Sequence, residues 1–288
     1  VSPMAQYMAT NGRVGDDHMV HLGARAKGGA GLVMVEMTAP CPEGRITHGC
    51  PGLWCDEQVA DWRRITEWVH TKTPAKIGIQ LGHAGAKGST CRPWQGAGMD
   101  QPLPEDEAES NWPLMAASAQ PYLPEGVCPR EMNRSDMDRL TQQFVQATVR
   151  AAQAGFDWLE LHCAHGYLLS GFISPLTNRR TDDYGGSLEN RTRLVRNVIR
   201  RIRAEVPSLV IASRLNVYDG IPFRAGPDSV GKPISHQLPI RTSFGVDSQD
   251  YSRVDLTEPL QVAKWLVEWG VSLINVTAGN PYGNPHVL

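Results

Sequence analysis

The chain has 288 residues, 41% hydrophobic and 20% charged, the make-up of a soluble globular protein long enough to bury a sizeable core. Its formal net charge of -2 gives no electrostatic reason to expect nucleic acid or an anionic membrane as partner. No apolar run approaches the roughly 18 residues of a membrane-spanning helix.

Val1-Ser2-Pro3-Met4-Ala5 lacks the basic and apolar regions of a secretory signal, so a cytoplasmic protein is expected. Cys41, Cys50, Cys55, Cys91, Cys128 and Cys163 form no Cys-x-x-Cys pair. They read as reduced thiols, and neither a zinc nor an iron–sulfur site is expected.

In chain order, the tail of a strand at 1–4 precedes a short helix over roughly 16–28, a marking of the pattern rather than a sharp boundary. A β-branched run at 31–36 predicts the next strand. Val59, Trp62, Ile65 and Val69 then fall at helical spacing behind Asp56, the expected N-cap. A strand at 75–80 leads into a Gly- and Pro-rich connection over 82–133. Met137, Leu140, Phe144, Ala147 and Ala151 mark a helix, with Ser135 and Asp138 spaced like a capping box. After a strand at 157–161, Leu194, Val195, Val198 and Ile202 mark a helix that follows Ser187. A strand at 209–213 opens a second long connection, 216–254. Leu260, Ala263 and Val267 follow Thr257 in a helix stopped by Gly270, and a strand at 271–276 comes last.

Near-continuous apolar strands alternating with amphipathic helices predict a parallel sheet covered by helices. Both long connections leave the C-terminal end of a strand, the face on which β/α barrels build their sites. The expectation is a single domain over 1–288, a TIM-type (β/α)8 barrel with about six of its eight strands present. Two further βα units, roughly 60–80 residues, would then lie beyond Leu288.

The chemistry concentrates at 157–170. A strand ends near Leu161, and His162, His165 and Tyr167 follow at once. Strand alternation sends Glu160 and His162 to one face, and Gly166 lets the chain turn so that three polar rings can converge. Two imidazole N–H groups can donate to an oxygen gaining negative charge, and a phenol can deliver a proton to carbon. A His-x-x-His metal pair and two structural histidines beside a core tyrosine are the competing readings; a third metal ligand is not evident.

The stretch from His162 through Tyr167, continued by 172–191 with its Thr-Asn-Arg-Arg-Thr-Asp-Asp-Tyr-Gly-Gly-Ser run, resembles the signature of the old yellow enzyme family. Ser2-Pro3-Met4, the segment 28–36 and the segment 78–85 resemble that family's first three strand regions, in order. The resemblance runs from residue 2 to about 280.

The resemblance implies an FMN-binding barrel that passes hydride from NAD(P)H to an activated alkene, such as an α,β-unsaturated carbonyl or nitro compound. On matching positions, His162 and His165 would bind the substrate's electron-withdrawing oxygen and Tyr167 would protonate the α-carbon. Gln80 would bond the flavin's pyrimidine edge and Arg214 would sit beside N1. Pro3, Met4 and Met37 would line the isoalloxazine, and Tyr7 would wall the substrate pocket. Ala5 stands where relatives carry a Cys or Thr that touches the flavin. The segment 220–250 is longer than compact members need. No Gly-x-Gly-x-x-Gly follows a predicted strand, so no separate dinucleotide domain is expected. Reductase chemistry on enoyl- or aryl-CoA thioesters, and a truncated barrel that no longer holds FMN, are the alternatives. Oligomeric state is left open, with room for a homo-oligomer.

Overall fold

The computed structural model describes residues 1–95, 101–103, 111–123, 126–226, 231–234, 237–240 and 243–279. Its centre is a five-stranded parallel sheet of β1 (Leu32–Thr38), β2 (Lys76–Leu81), β5 (Trp158–Cys163), β6 (Val210–Asn216) and β9 (Leu273–Thr277). The spatial order is the chain order, β1-β2-β5-β6-β9. Each crossover therefore advances by one strand in one direction, as in a barrel wall; a doubly wound sheet would reverse. Of six expected strands, five form. At the sixth, only Val1 pairs with β1: its amino group donates to the Leu32 carbonyl at 2.7 Å, and its own carbonyl accepts from Met34 N at 3.1 Å.

The core lies between this sheet and the helices outside it. Val33, Val35, Ile77, Ile79, Leu159 and Leu161 are all buried, at alternate positions that share the helix-facing side. Against them pack α1 (Asp16–Lys27), α2 (Asp56–Lys72), α3 (Arg134–Gln153) and α6 (Arg193–Glu205). The heptad-like spacing of Trp62, Ile65 and Val69 on α2, and of Leu140, Phe144 and Ala151 on α3, puts these side chains in that core.

Three helix starts differ from expectation. Cys55, not Asp56, is the N-cap of α2, because the Gln58 side chain reaches back to accept from Cys55 N at 3.2 Å. The box that opens α3 is Asn133 and Asp136, two residues ahead of Ser135 and Asp138. Each side chain of that pair accepts from the other's backbone N–H at 2.9 Å. Arg130 and Arg139 hold Asp136 there, and the Arg130 hydrogen bond lowers its carboxyl to about 2. Ser187 caps only a short turn, α5 (Leu188–Arg191), before α6 begins. On α7 (Thr257–Glu268) the buried residues are Pro259, Val262 and Leu266, while Leu260 and Val267 face outward.

The described residues of both long connections include short elements. The first holds a turn at Gly85–Lys87 and the paired strands β3 (Met115–Ala116) and β4 (Arg130–Glu131). The second holds a hairpin of β7 (Phe223–Ala225) and β8 (Gly231–Pro233). A short helix, α4 (Leu168–Ile173), follows β5. Among the described residues no helix is long and apolar enough to cross a membrane, and the six cysteines are unpaired.

Candidate active site

Register decides which side chains share the sheet's inner side. Gln80 is opposite Glu160, and His162 is opposite Arg214, which is opposite Asn275. Partners in a parallel ladder point the same way, and positions two apart on a strand share a face. These five side chains thus form two adjacent polar rows at the C-terminal end of the strands, opposite the helix-packed core.

Glu160 anchors the lower row. It is buried, and burial raises its carboxyl against the lowering effect of two hydrogen bonds. One oxygen accepts from Gln80 Nε2 at 2.7 Å and the other from Asn275 Nδ2 at 3.2 Å. One amide N–H of Gln80 is therefore committed inside the protein. Arg214 forms no ion pair with Glu160; its Nη1 approaches the Pro3 carbonyl at 3.5 Å, and its buried Nε has no partner.

A bulge in β1 controls the next layer. Between Val35 and Met37 the register skips Glu36, so that Met37 is opposite Gln80. The displaced Glu36 carboxylate accepts from Gln6 N at 2.7 Å and Tyr7 N at 3.4 Å. It thereby holds Tyr7 in the left-handed region, at φ 54. Tyr7 and Tyr167 pack on Met37, Ile46, Cys50 and Ala84 in a small cluster separate from the main core. Pro3 is buried, Ala5 is half-buried and Met4 is exposed. The inner strands meet closely here: a Cβ on Gly82 would stand 2.7 Å from Met37 Cγ and 3.1 Å from His162 Cβ.

The three rings at the C-terminal end of β5 converge. His162 and His165 lie edge-to-face with centroids 5.2 Å apart, and His162 and Tyr167 lie 4.7 Å apart. His165 reaches this position through a positive φ of 60, followed by Gly166 at 71, a left-handed pair that folds the chain back over the strand end. His165 Nε2 lies 3.1 Å from Thr277 Oγ1 at the end of β9. His162 is buried and its Nδ1 has no partner, an arrangement that costs free energy unless a ligand oxygen completes it.

Lys87 is a site residue that the sequence reading passed over. His83 Nδ1 accepts from Gly85 N at 3.0 Å, which shapes the turn at Gly85–Lys87. The Lys87 ammonium is buried, with Nζ 4.2 Å from the centroid of the Tyr167 ring and 5.4 Å from that of Tyr122. The available signal was position: a lysine seven residues past Gln80, in the loop leaving a strand's C-terminal end.

Electrostatics set the protonation state of the pair. Burial, then His165, Arg214 and Lys87, holds His162 well below the ordinary imidazole range. Burial, then Arg214 and Lys87, lowers His165 to about 3. Near neutral pH both imidazoles are therefore uncharged, each with one N–H to donate. Unfolded, each takes up a proton near pH 6.5; folded, His165 does so only near 3. The unfolded chain binds more protons within that window, so stability falls as pH falls through it, by about 1.4 kcal/mol per pH unit for each such histidine. Urea unfolding at pH 7 and pH 4.5 should show this loss, and His165→Ala should reduce its slope.

Geometry and sequence agree on a barrel wall with a polar, cation-flanked group of side chains at its C-terminal end. The chain belongs to the NADH:flavin oxidoreductase / NADH oxidase family, which it matches over residues 1–272. It is 41% identical over 229 residues to an NADH:flavin oxidoreductase of Gibberella zeae, an alignment covering 78% of this chain and 54% of that protein. It is 35% identical over 283 residues to the NADPH dehydrogenase of Bacillus subtilis, covering 97% of this chain and 68% of the relative. Among solved structures, the old yellow enzyme homologue of Zymomonas mobilis superposes with a TM-score of 0.70 at 26% identity, covering 97% of this chain and 68% of that one. The chain thus spans 54% of the Gibberella relative. The fold is that of the old yellow enzyme barrels, and the five parallel strands form part of such a barrel's wall.

The family's cofactor is FMN, and the residues at this end of the strands suit its ring system. Arg214 is a fixed cation that forms no ion pair among the described residues, next to a buried and unpartnered His162 Nδ1. Reduced flavin is an anion, and a guanidinium held in place lowers its energy.

Proposed function

We propose that this protein is an FMN-dependent ene-reductase, which uses NAD(P)H to reduce the double bond of an α,β-unsaturated carbonyl or nitro compound. The observation that carries this reading is the convergence of two neutral imidazoles and one phenol over the strand end that also presents Arg214.

Gln80, Arg214, Pro3, Met4, Ala5 and Met37 would hold the isoalloxazine, with Gln80 bonding its pyrimidine edge and Arg214 beside its anionic side. When bound, FMN supplies the hydride, taken from NAD(P)H and delivered to the alkene's β-carbon. His162 and His165 donate N–H bonds to the carbonyl or nitro oxygen, which gains charge as the β-carbon is attacked. Because both rings are neutral, they polarise that oxygen without protonating it. Tyr167 then gives its hydroxyl proton to the α-carbon, and the Lys87 ammonium, 4.2 Å from the ring centroid, stabilises the phenolate until solvent restores the proton. Tyr7 walls the substrate on the side of the β1 bulge.

The test is direct. Purified protein should show flavin absorption and, under anaerobic conditions, should oxidise NAD(P)H beyond one equivalent per flavin only when cyclohexenone is supplied. Flavin-free protein would favour a truncated barrel. Flavin-containing protein whose NAD(P)H oxidation ignores the enone would refute the alkene assignment.

A further inference from the structure

Tyr167 belongs to two environments at once. It packs on the Met37 and Ile46 cluster, and it also lines a cavity of about 620 Å³. The walls come from three separate segments. Ala116 and Tyr122 belong to the first long connection, Leu168 and Leu176 to the stretch after β5, and Phe223 and Ile234 to the hairpin region of the second. Pro222, Phe223 and Ile234, from the extended segment 220–250, thus contribute a wall.

The chemistry of the lining selects its occupant. None of the described lining residues is charged. Two of its hydroxyls are engaged within the protein: Ser118 Oγ accepts from Arg179 N at 2.9 Å and Thr177 Oγ1 donates to the Gly171 carbonyl at 2.9 Å. Such a space offers little to a phosphate or a carboxylate, whose burial there would leave charge unpaired. Its volume falls in the range that holds a whole small organic ligand, far more than a single ring enone occupies.

We propose that this cavity is the subsite for a large neutral apolar substituent on or next to the α-carbon of the alkene, so that the preferred substrates are enones bearing a long alkyl or an aryl group there. The inference rests on the reading of Tyr167 as the donor to the α-carbon: a substituent on the carbon that meets this phenol is the one that can enter the cavity the phenol lines.

Saturated α-alkyl cyclohexanones, which bind without turnover, test the cavity by isothermal titration calorimetry. Lengthening the alkyl group from methyl to hexyl should lower Kd by about fourfold per methylene, the factor for withdrawing a methylene from water. Ala116→Phe, which fills the cavity, should reduce the gain to less than about twofold per methylene. Ile234→Glu, which places a charge on a half-exposed wall, should do the same without demanding a change in the core. A flat series in the unsubstituted protein, or a steep one that survives both variants, overturns the inference. Reduction of unsubstituted cyclohexenone reads the proposed reaction separately. If it fails while the ketone series stays steep, the reaction is wrong and the cavity is an apolar ligand subsite without the link to an alkene's α-carbon, which overturns the substrate preference. If it succeeds while the series is flat, the reaction stands and the subsite falls.

Discussion

Tyr167→Phe should lower the rate of enone reduction by about 10²–10⁴-fold, the usual range for removing a positioned proton donor. Phenylalanine keeps the ring, and with it the edge contact to His162 at 4.7 Å and the contact to Lys87 at 4.2 Å. The packing on Met37 and Ile46 does not depend on the hydroxyl. The variant should therefore fold, bind flavin and leave both imidazoles in place.

What separates this outcome from general damage is the other half of the cycle. Reduction of the flavin by NAD(P)H needs no proton on an alkene carbon, so its rate should stay within about threefold of the unsubstituted protein. Stopped-flow traces of the reductive and oxidative halves measure the two independently. Equal losses in both would mean that Tyr167 supports the architecture and donates nothing. An undiminished oxidative half would remove it as the proton source.

Much of this site was legible because its residues are consecutive. His162, His165 and Tyr167 sit within six positions, and a strand end followed by glycine leaves few ways to arrange them. The long-range partners were less visible. Glu36 acts through a bulge, and no hydrophobic pattern marks where a register will skip. Thr277 reaches His165 only because β9 lies next to β6 in the sheet. Lys87 would have needed the fold of a glycine-rich loop. At the helix starts, Asp56 and Ser135 were sound candidates by residue type. The real caps differ because Gln58, and the Arg130 and Arg139 pair around Asp136, supply side-chain bonds that local spacing leaves undecided. The outward-facing Leu260 and Val267 show a limit of a different kind. Helical periodicity fixes which residues share a stripe, but the buried stripe is chosen by neighbours in space, here β6.

The oxygen-binding pair yields the second large effect. His162→Leu should cost about 10²–10³-fold in kcat/KM for an enone, as loss of one preorganised donor does elsewhere. His162→Asn should restore most of it. The asparagine amide nitrogen ends near where Nδ1 of the imidazole stands, and that Nδ1 is the buried atom with no partner in the protein. If instead His162 mattered as a filler, Leu would be tolerated and Asn, smaller and more polar, would do worse. The order of the two variants decides between a donor and a packing residue even if both lose some stability. His165 should behave as the weaker member, because Thr277 Oγ1 already engages its Nε2 at 3.1 Å and the ring stays half-buried. Removing both rings should cost less than the product of the single losses, since the two donors share one oxygen and the first loss already lets the substrate shift.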